Sequence, residues 1–395
     1  MEEGSLANVK FFDKLRWSLP WLARYPFWRM RSLMRTSAPE NGAPHFVFLV
    51  SNHYEPGLGP TALKRVEEWY KLARATGDAV RDHDGTPFRH TNFFPAEQYE
   101  RPLLDMLAAM QREGLGEVEI HLHHGIDQPD TAANTRKILE WFRDTLAYEH
   151  GLLSREAPDS LPKYGFVHGN WALANSAGGR FCGVDSEMQI LADTGCYADF
   201  TLPSVPHQSQ VARINAIYQC GRPLSEAKPH RSGPTLKVGD HPALPVIFTG
   251  PLTFNWSRRI YGLPVPRLED GVLAQNYPLS LDRFQRWRKA NISVEGGPEW
   301  IFIKLYCHGF FDWDQDVMLG EQMRRFMGDL MDLAERSGEF KIHFASSREA
   351  FNMVMAAVDG KSGNPNAYRD YKLRQIMDEP QSAVVEKPQQ QLLEV

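Results

Sequence analysis

Residues 117–127 read EVEIHLHHGID, and this stretch carries the pattern on which the fold prediction depends. Apolar and polar side chains alternate over 117–122, which predicts a β-strand. One helical pattern ends near Gly114 before this strand, and another begins after Asp127. A strand between two helices is typical of a parallel sheet, in which functional residues gather at the carboxyl ends of the strands. The histidine-rich end of this stretch therefore predicts a functional site.

The same strand pattern occurs eight times in the chain. The strand-like runs are 45–51, 88–94, 117–123, 164–169, 199–203, 245–250, 300–308 and 340–346. Helical patterns lie between most of them, and Gly114, Gly151 and Gly338 stand where helix C-caps are expected. About eight such units favour an α/β fold, an irregular (β/α) barrel of about seven to eight strands. Residues 203–245 break the rhythm and are predicted to form a long insertion over one face.

Length alone would suggest more domains than this rhythm does. A chain of 395 residues, at about 150 residues for each domain, would contain two or three. The strand–helix rhythm instead assigns one barrel to 41–358. A basic, aromatic N-terminal arm and linker precede it at 1–40, and a polar tail, predicted to be disordered, follows at 359–395.

Charge and cysteine content narrow the functional classes. The chain has 44 Lys and Arg against 49 Asp and Glu, a net charge of −5, so nothing points to nucleic acid as the main partner. Its 4 cysteines stand singly with no CxxC pair, which predicts a reduced, cytoplasmic protein. We expect no secretory signal at the N-terminus and no stretch of about 20 apolar residues that could cross a bilayer.

Residues 10–36 interleave basic and aromatic side chains with a single acid, Asp13. Such a pattern suits a lipid headgroup interface, where rings lie at the apolar boundary and cations meet anionic lipids. It equally suits an arm whose aromatic side chains pack onto the main domain. The first interpretation predicts peripheral contact with the inner face of the membrane.

Polar residues collect at the carboxyl ends of four predicted strands. These residues are Asn52, His53 and Glu55; His121, His123, His124 and Asp127; His168, Asn170 and Trp171; and His308, Asp312 and Asp314. Six of the 14 histidines are among them. Imidazoles and carboxylates that converge at one barrel mouth are the ligands of a divalent metal ion. Taken singly, each histidine could be a solvated residue, and Asp312 and Asp314 could be helix caps.

The order of these motifs resembles the polysaccharide deacetylase superfamily, metal-dependent carbohydrate esterases on an irregular (β/α) barrel. The matching stretches are FVFLVSNHYEP, the strand beginning TNFFP with EVEIHLHHGID, YGFVHGNWAL with SEMQILADTGCYADFTLP, and IFIKLYCHGF with HFASSREAFN. The likeness covers roughly residues 45–355. It implies removal of an acetyl group from an N-acetylated sugar or polysaccharide, with carbohydrate as the partner.

The resemblance also implies roles for individual residues. His53, His123 and Asp127 take the positions of the metal ligands, and the ion is expected to be Zn²⁺. Asn52 occupies the place of the family's catalytic aspartate, so Glu55 is expected to act as the base and His308 as the general acid. The residues expected to contact substrate are His124, His168, Asn170, Trp171, Asp199 and Asp312. Trp171, Phe310 and Trp313 could stack against a sugar ring.

Two other functions fit the same sequence. A glycoside hydrolase would need a carboxylate pair, for which Glu55, Asp199, Asp312 and Asp314 are available. A non-catalytic carbohydrate-binding protein would account for Asn52, because an amide cannot accept a proton from metal-bound water.

Overall fold

The computed structural model describes residues 11–34, 42–310 and 314–378. The α-helices are α1 Phe11–Leu22, α2 Tyr25–Met34, α3 Gly59–Ala79, α4 Arg101–Arg112, α5 Ala132–Asp144, α6 Glu187–Thr194, α7 Leu281–Ala290, α8 Gln315–Leu319, α9 Glu321–Ser337 and α10 Ser347–Val358. The longer strands are β1 His45–His53, β2 His90–Pro95, β3 Gly116–Leu122, β5 Tyr164–His168, β6 Cys196–Asp199, β8 Val246–Phe248, β13 Trp300–Cys307 and β14 Lys341–Phe344.

Shorter elements fill the connections. The short strands are β4 Ser154–Arg155, β7 Ile217–Tyr218, β9 Thr253–Asn255, β10 Arg259–Ile260, β11 Leu263–Pro264, β12 Arg267–Glu269 and β15 Arg374–Gln375. A π-helical turn, Thr145–Glu149, extends α5. The 3₁₀ helices are Ala96–Gln98, Gly169–Trp171, Leu173–Asn175, Pro229–Arg231, Pro365–Tyr368 and Ile376–Asp378.

A central, mostly parallel sheet organises the fold. Its strand order is β13-β1-β2-β3-β5-β6-β8-β7, and β14 also pairs with β1. Only β7 runs antiparallel to its neighbour within this sheet. The predicted α/β class is therefore confirmed. Among the described residues, no strand pairing joins β7 to β13, so backbone hydrogen bonds do not close the sheet into a barrel.

Strand β1 pairs with three other strands of this sheet. Residues 46–50 are an unbroken apolar run of aromatic and branched side chains, all buried, as expected for a strand covered on both faces. β1 pairs with β13 along 45–52, with β14 over 45–48 and with β2 over 51–53. This register places Asn52 opposite both Cys307 and Asn92, so β1 and β13 end at nearly the same level and β2 runs two residues further.

One predicted strand is displaced along the chain. We expected a strand at 199–203, but β6 ends at Asp199. The Asp199 carboxylate accepts hydrogen bonds from the Thr201 backbone N–H at 3.1 Å and its hydroxyl at 2.7 Å, which turns the chain out of the sheet. Pro203 then has no N–H with which to continue a ladder.

The N-terminal arm forms two helices that pack onto the domain through their inner aromatic residues. The ring of Phe254 lies 5.7 Å from Trp21 and 5.1 Å from Tyr25, and the Ser32 hydroxyl donates to the Lys289 carbonyl at 3.0 Å. The opposite faces of these helices expose large apolar side chains: Phe12, Leu15, Leu19, Phe27 and Met30. None of the helices in the described ranges is both long and apolar enough to cross a bilayer.

The predicted domain boundary at residue 358 is wrong. Residues 359–378 belong to the fold, because buried Arg348 on α10 donates to the Leu373 carbonyl at 2.8 Å and pairs with Glu117 at 2.8 Å. β15 also pairs with β4. The remainder of the predicted tail, 379–395, lies outside the described residues.

A buried carboxylate at the start of α10 holds this C-terminal segment. Glu349 completes a capping box with Ser346 and forms 2.8 Å ion pairs with Arg89 and Arg369. Burial opposes its ionisation, but Arg89, Arg369 and Arg348 outweigh burial and lower the pKa of Glu349 to about 2. An unfolded glutamate titrates near pH 4.3, about two units higher. The carboxylate therefore stabilises the fold above that pH, and this contribution is lost as the pH falls towards 2.

We expect Glu349→Gln to lower the free energy of unfolding by about 3 kcal/mol near neutral pH, because two arginines lose a buried anionic partner. The deficit should shrink at about pH 3, where the wild type has itself begun to lose this contribution. Urea denaturation at the two pH values measures both effects. Glu335→Gln, on the exposed side of α9, is the matched control. Equal urea midpoints for wild type and Glu349→Gln near neutral pH would contradict the assignment.

Candidate active site

Five side chains form a cluster where β1, β3 and β13 end; we call it the mouth cluster. Its members are His53, Glu55, His121, His123 and His308. The ring of His53 lies 5.0 Å from that of His121 and 4.5 Å from that of His308. The parallel register explains the convergence, since residues far apart in the chain leave the sheet at one edge.

Hydrogen bonds fix the orientation of two of these imidazoles. His121 Nδ1 donates to the Val167 carbonyl at 2.8 Å, so its Nε2 carries the lone pair. That buried Nε2 faces Glu55 Oε1 at 3.4 Å and has no hydrogen-bond partner among the described residues. His123 Nδ1 lies 2.6 Å from Glu97 Oε1, and its Nε2 faces Glu55 Oε1 at 3.7 Å. Two imidazole nitrogens thus point at one carboxylate.

Burial and mutual charge determine protonation in the mouth cluster. Burial, followed by the neighbouring histidines, lowers the pKa of His53 well below its usual value. The pKa of His308 is lowered chiefly by burial. Burial opposes ionisation of Glu55, but His121, His123 and His308 outweigh it and lower the pKa of Glu55 to about 2. The lowered pKa values of His53 and His308 favour neutral imidazoles, and that of Glu55 favours an ionised carboxylate, which are the states that bind a metal ion.

The mouth cluster contains a possible metal site of the open kind. One ligand atom from each of His53, Glu55 and His121 lies within 4.8 Å of the others. The Glu55 side chain is 28% exposed, so water can reach this group. Three protein ligands with access for water are characteristic of catalytic rather than structural zinc sites. The buried, unpartnered Nε2 of His121 is what a bound cation would satisfy.

A second group lies behind the mouth; we call it the buried tetrad. It consists of His124, His168, Cys182 and Glu187, whose ligand atoms all lie within 4.8 Å of one another. His124 Nε2 is 3.0 Å from His168 Nε2 and 2.8 Å from Glu187 Oε1. Cys182 Sγ lies 3.6 Å from Glu187 Oε2. All four residues are buried, so the tetrad offers four protein donors and little access for water.

Acceptors outside the buried tetrad set the tautomer of both histidines. His124 Nδ1 donates to Asp130 Oδ2 at 2.8 Å, and His168 Nδ1 donates to the Gly169 carbonyl. The second nitrogen of each ring is therefore directed at the other histidine and at Glu187. Imidazole held from behind by a carboxylate or carbonyl is the usual arrangement of a metal-binding histidine. The buried tetrad thus has the donor set and outer contacts of a metal site.

The structure redistributes the predicted metal ligands. His53 belongs to the possible open site, and His123 lies beside it. Asp127 is exposed in the turn after β3 and is not part of this group, so the predicted His53, His123 and Asp127 triad is not assembled. Glu55 and His121 complete the group instead, because the side chain two residues before His123 points from the same face of β3.

Several predicted substrate contacts are buried and engaged with other residues of the fold. His124 and His168 belong to the buried tetrad. Asp199 is fully buried and hydrogen-bonded to Thr201, out of reach of a sugar. Phe310 is buried, with its ring 4.4 Å from that of Tyr54.

Two other predicted contacts, Asn170 and Trp171, are half-buried in the turn after β5, and their roles remain predictions. Asp312 and Trp313 lie outside the described residues. Asp314 is the N-cap residue of α8, and its carboxylate accepts a hydrogen bond from the Gln275 N–H at 2.9 Å.

Asn52 holds strands together. Its Oδ1 accepts from the Gly309 N–H at 2.9 Å and faces Cys307 Sγ at 3.2 Å, while its Nδ2 donates to Asn92 Oδ1 at 3.2 Å. Both ends of the buried amide are thus engaged between β1, β2 and the segment after β13. The structure thus shows Asn52 engaged between these strands, and its catalytic role stays a prediction.

The sequence analysis missed Glu97, Cys182 and Glu187. Cys182 and Glu187 lie more than 50 residues from His124, so no short motif joins the members of the buried tetrad. A signal was nevertheless present, since Glu187 opens the short, apolar helix α6 five residues after a lone cysteine. Its carboxylate is fully buried.

A third acidic group lies at the opposite edge of the sheet. Asp82, Asp84 and His343 come within 4.8 Å of one another. Asp82 accepts from the Phe344 N–H at 3.0 Å and pairs with Arg369 at 3.4 Å, and His343 lies 2.7 Å from His45 Nδ1. These contacts join the three residues to neighbouring parts of the fold and explain why they lie close together.

No model of a known protein family matches the chain, and no curated protein matches it significantly. The resemblance to polysaccharide deacetylases therefore rests on the sequence motifs quoted above.

Close packing joins the two groups at Gly169. A Cβ at this position would lie 2.6 Å from His123 Cγ and 2.7 Å from the Leu122 carbonyl oxygen, distances that real side chains do not show. Gly169 follows His168 of the buried tetrad directly. The ring of His123 in the mouth cluster therefore rests against the backbone that carries His168.

We expect Gly169→Ala to lower the free energy of unfolding by roughly 1–3 kcal/mol, because either His123 or the backbone must move. Gly328→Ala is the matched control, since its Cβ meets open space on α9 and should stabilise the helix by about 0.5–1 kcal/mol. Thermal denaturation of both variants measures the difference. A Gly169→Ala midpoint at or above that of wild type would show that this contact is not tight.

Proposed function

We propose that the protein is a metal-dependent hydrolase that removes an acetyl group from an N-acetylated sugar or polysaccharide. The observation that carries this proposal is the His53, Glu55 and His121 group, with three ligand atoms within 4.8 Å and one side chain open to water. Zn²⁺ suits imidazole and carboxylate ligands. The order of motifs along the chain supports the substrate class.

The structure changes the role that we assign to Glu55. Glu55 is the predicted catalytic base, but a carboxylate with a pKa of about 2 is a poor proton acceptor near neutral pH. An ionised carboxylate that faces two imidazoles suits a metal ligand better. A divalent ion bound there would lower the pKa of a bound water and polarise an acyl carbonyl.

His123 and Glu97 can take over the role of base. The Glu97 carboxylate, 2.6 Å from His123 Nδ1, would fix the tautomer and stabilise the imidazolium after Nε2 accepts a proton. His308, at the end of β13, remains the proposed acid that gives a proton to the departing amine. Asn170 and Trp171 remain the proposed substrate contacts.

The proposal extends to the closure of the sheet. The side chain of buried Lys304 on β13 donates to the Phe200 carbonyl and, at 2.7 Å, to the Leu202 carbonyl after β6. We propose that this contact closes the open side of an irregular (β/α) barrel where backbone pairing does not.

The observed contacts do not favour the other two functions. Of the carboxylates that a glycoside hydrolase could pair, Asp199 is buried with Thr201 and Glu55 is surrounded by histidines. The binding-protein hypothesis rested on Asn52, and the hydrogen bonds of Asn52 within the sheet explain that residue without loss of catalysis.

Incubation with an N-acetylated oligosaccharide and Zn²⁺ should release acetate and no new reducing ends. His121→Ala should lower kcat/KM at least about 100-fold through loss of a ligand, and Glu97→Gln about 10–100-fold through loss of the contact that orients His123. His241→Ala, an exposed histidine, is the control. New reducing ends without acetate would favour the glycoside hydrolase, and glycan binding without either product would favour the binding protein.

We further propose that the arm contacts an anionic membrane surface. Phe12, Leu15 and Leu19 share one face of α1, and Phe12 and Phe27 are 79% and 70% exposed. Lys14, Arg16, Arg24 and Arg29 are among the basic residues of the arm, against the single acid Asp13. Exposed rings with surrounding cations suit a headgroup layer.

The double variant Phe12→Ser and Phe27→Ser should lose co-sedimentation with vesicles that contain phosphatidylserine, because both side chains are largely exposed on the arm. Tyr261→Ser is the control, since Tyr261 is an equally exposed aromatic residue far along the chain at the tip between β10 and β11. Undiminished binding of the double variant would refute the membrane proposal.

A further inference from the structure

We propose that the buried tetrad binds a structural zinc ion, separate from the ion proposed for the mouth cluster. The ion would be held by His124 Nε2, His168 Nε2, Cys182 Sγ and one oxygen of Glu187. It would hold the loop between β5 and α6 in place and would contact no substrate. This inference goes beyond the proposed hydrolase function and does not depend on it.

The orientation of the two imidazoles is the first argument. His124 Nδ1 and His168 Nδ1 each donate to a fixed acceptor, the Asp130 carboxylate and the Gly169 carbonyl. Both Nε2 atoms then face inward, 3.0 Å from each other and close to the Glu187 carboxylate. Two imidazole nitrogens and a carboxylate this close need a positive charge among them, which a proton on one Nε2 or a bound metal ion supplies.

The separations of the ligand atoms are the second argument. A tetrahedral zinc ion with bonds of about 2.0–2.3 Å keeps its ligands about 3.3–3.8 Å apart. In the buried tetrad, Glu187 Oε1 lies 2.8 Å from His124 Nε2 and 3.2 Å from His168 Nε2, Cys182 Sγ lies 3.6 Å from Glu187 Oε2, and all the ligand atoms lie within 4.8 Å of one another. Outward movement of a few tenths of an ångström would admit the ion.

Burial distinguishes this group from the mouth cluster. The side chains of His124, His168 and Glu187 are 3%, 0% and 0% exposed. Four protein ligands without access for water are characteristic of structural zinc sites, whereas three ligands with an open position are characteristic of catalytic ones. The thiolate ligand also selects zinc over magnesium or calcium.

The ligands come from four separate parts of the chain. His124 follows β3, His168 ends β5, Cys182 lies in the following loop and Glu187 begins α6. The loop is further joined to the β3 turn, because the Cys182 carbonyl accepts from the Asp130 N–H at 2.8 Å.

The loop itself has an unusual backbone. Asn170, Trp171 and Ala174 adopt left-handed conformations with φ of 53°, 56° and 47°. Such conformations persist in non-glycine residues only where surrounding contacts impose them. The second oxygen of Glu187 accepts from the Ala174 N–H at 2.6 Å and so connects the buried tetrad to this backbone.

Cobalt substitution tests the proposal directly. Protein stripped of metal by a chelator and titrated with Co²⁺ should develop the near-ultraviolet charge-transfer absorption of a thiolate ligand at one equivalent per chain. Cys182→Ser should abolish this absorption. Cys196→Ser, which replaces an equally buried free cysteine on β6, should retain it. Absence of the absorption in wild-type protein, or its retention in Cys182→Ser, would overturn the proposal.

A stability measurement covers the case in which Cys182→Ser fails to fold. Zn²⁺ should raise the thermal midpoint of stripped wild-type protein, and Glu187→Gln, which keeps the shape of the side chain, should raise it much less. An equal rise in both proteins would count against the buried tetrad as the site.

His121→Ala separates this inference from the proposed function. It should lose acetate release and keep the thiolate absorption. If wild-type protein shows the absorption without hydrolysis, the proposed function fails alone. If it hydrolyses without the absorption, the structural zinc site fails alone.

Discussion

The register of β1 is the constraint on which the rest of the structure depends. β1 pairs with β13 on one side and with β14 and then β2 on the other, so its buried apolar run is fixed at both ends. Asn52 secures that register where the strand ends, with hydrogen bonds to Asn92 on one side and Gly309 on the other. A shift of β1 by one residue would turn the side chain of His53 away from His121, and the residues of the mouth cluster would no longer lie together.

The fold could be predicted from sequence to the extent that its signals are local. Strand-like runs and glycine C-caps placed seven of the eight predicted strand regions on observed strands, and burial of a parallel strand accounts for the apolar runs among them. β6 was misplaced since its end is set by a side-chain turn at Asp199. The ordered segment at 359–378 was missed because its sequence is largely polar, and Arg348, Arg369 and Asn352 hold it together with the buried side chain of Leu373.

The location of the candidate site could be predicted from the sequence better than the identity of the residues that form it. Strand ends identified His53 and His123 and predicted that they would meet. They could not show that His121 keeps a buried Nε2 beside Glu55 without a hydrogen-bond partner among the described residues. The four residues of the buried tetrad come together only because the loop after β5 folds back over β3. No spacing of residues in the sequence indicates this.

The consecutive residues His123 and His124 serve different groups, and this has a consequence for how the protein can vary. His123 faces Glu55 and Glu97, while His124 turns inward to His168 and Glu187. In the following turn, the exposed side chain of Asp127 takes part in neither contact, whereas Asp130 accepts the hydrogen bond from His124 Nδ1. Insertion or deletion of one residue at 121–124 would disrupt both groups at once. The length of this segment is therefore under stricter constraint than the identity of most of its neighbours.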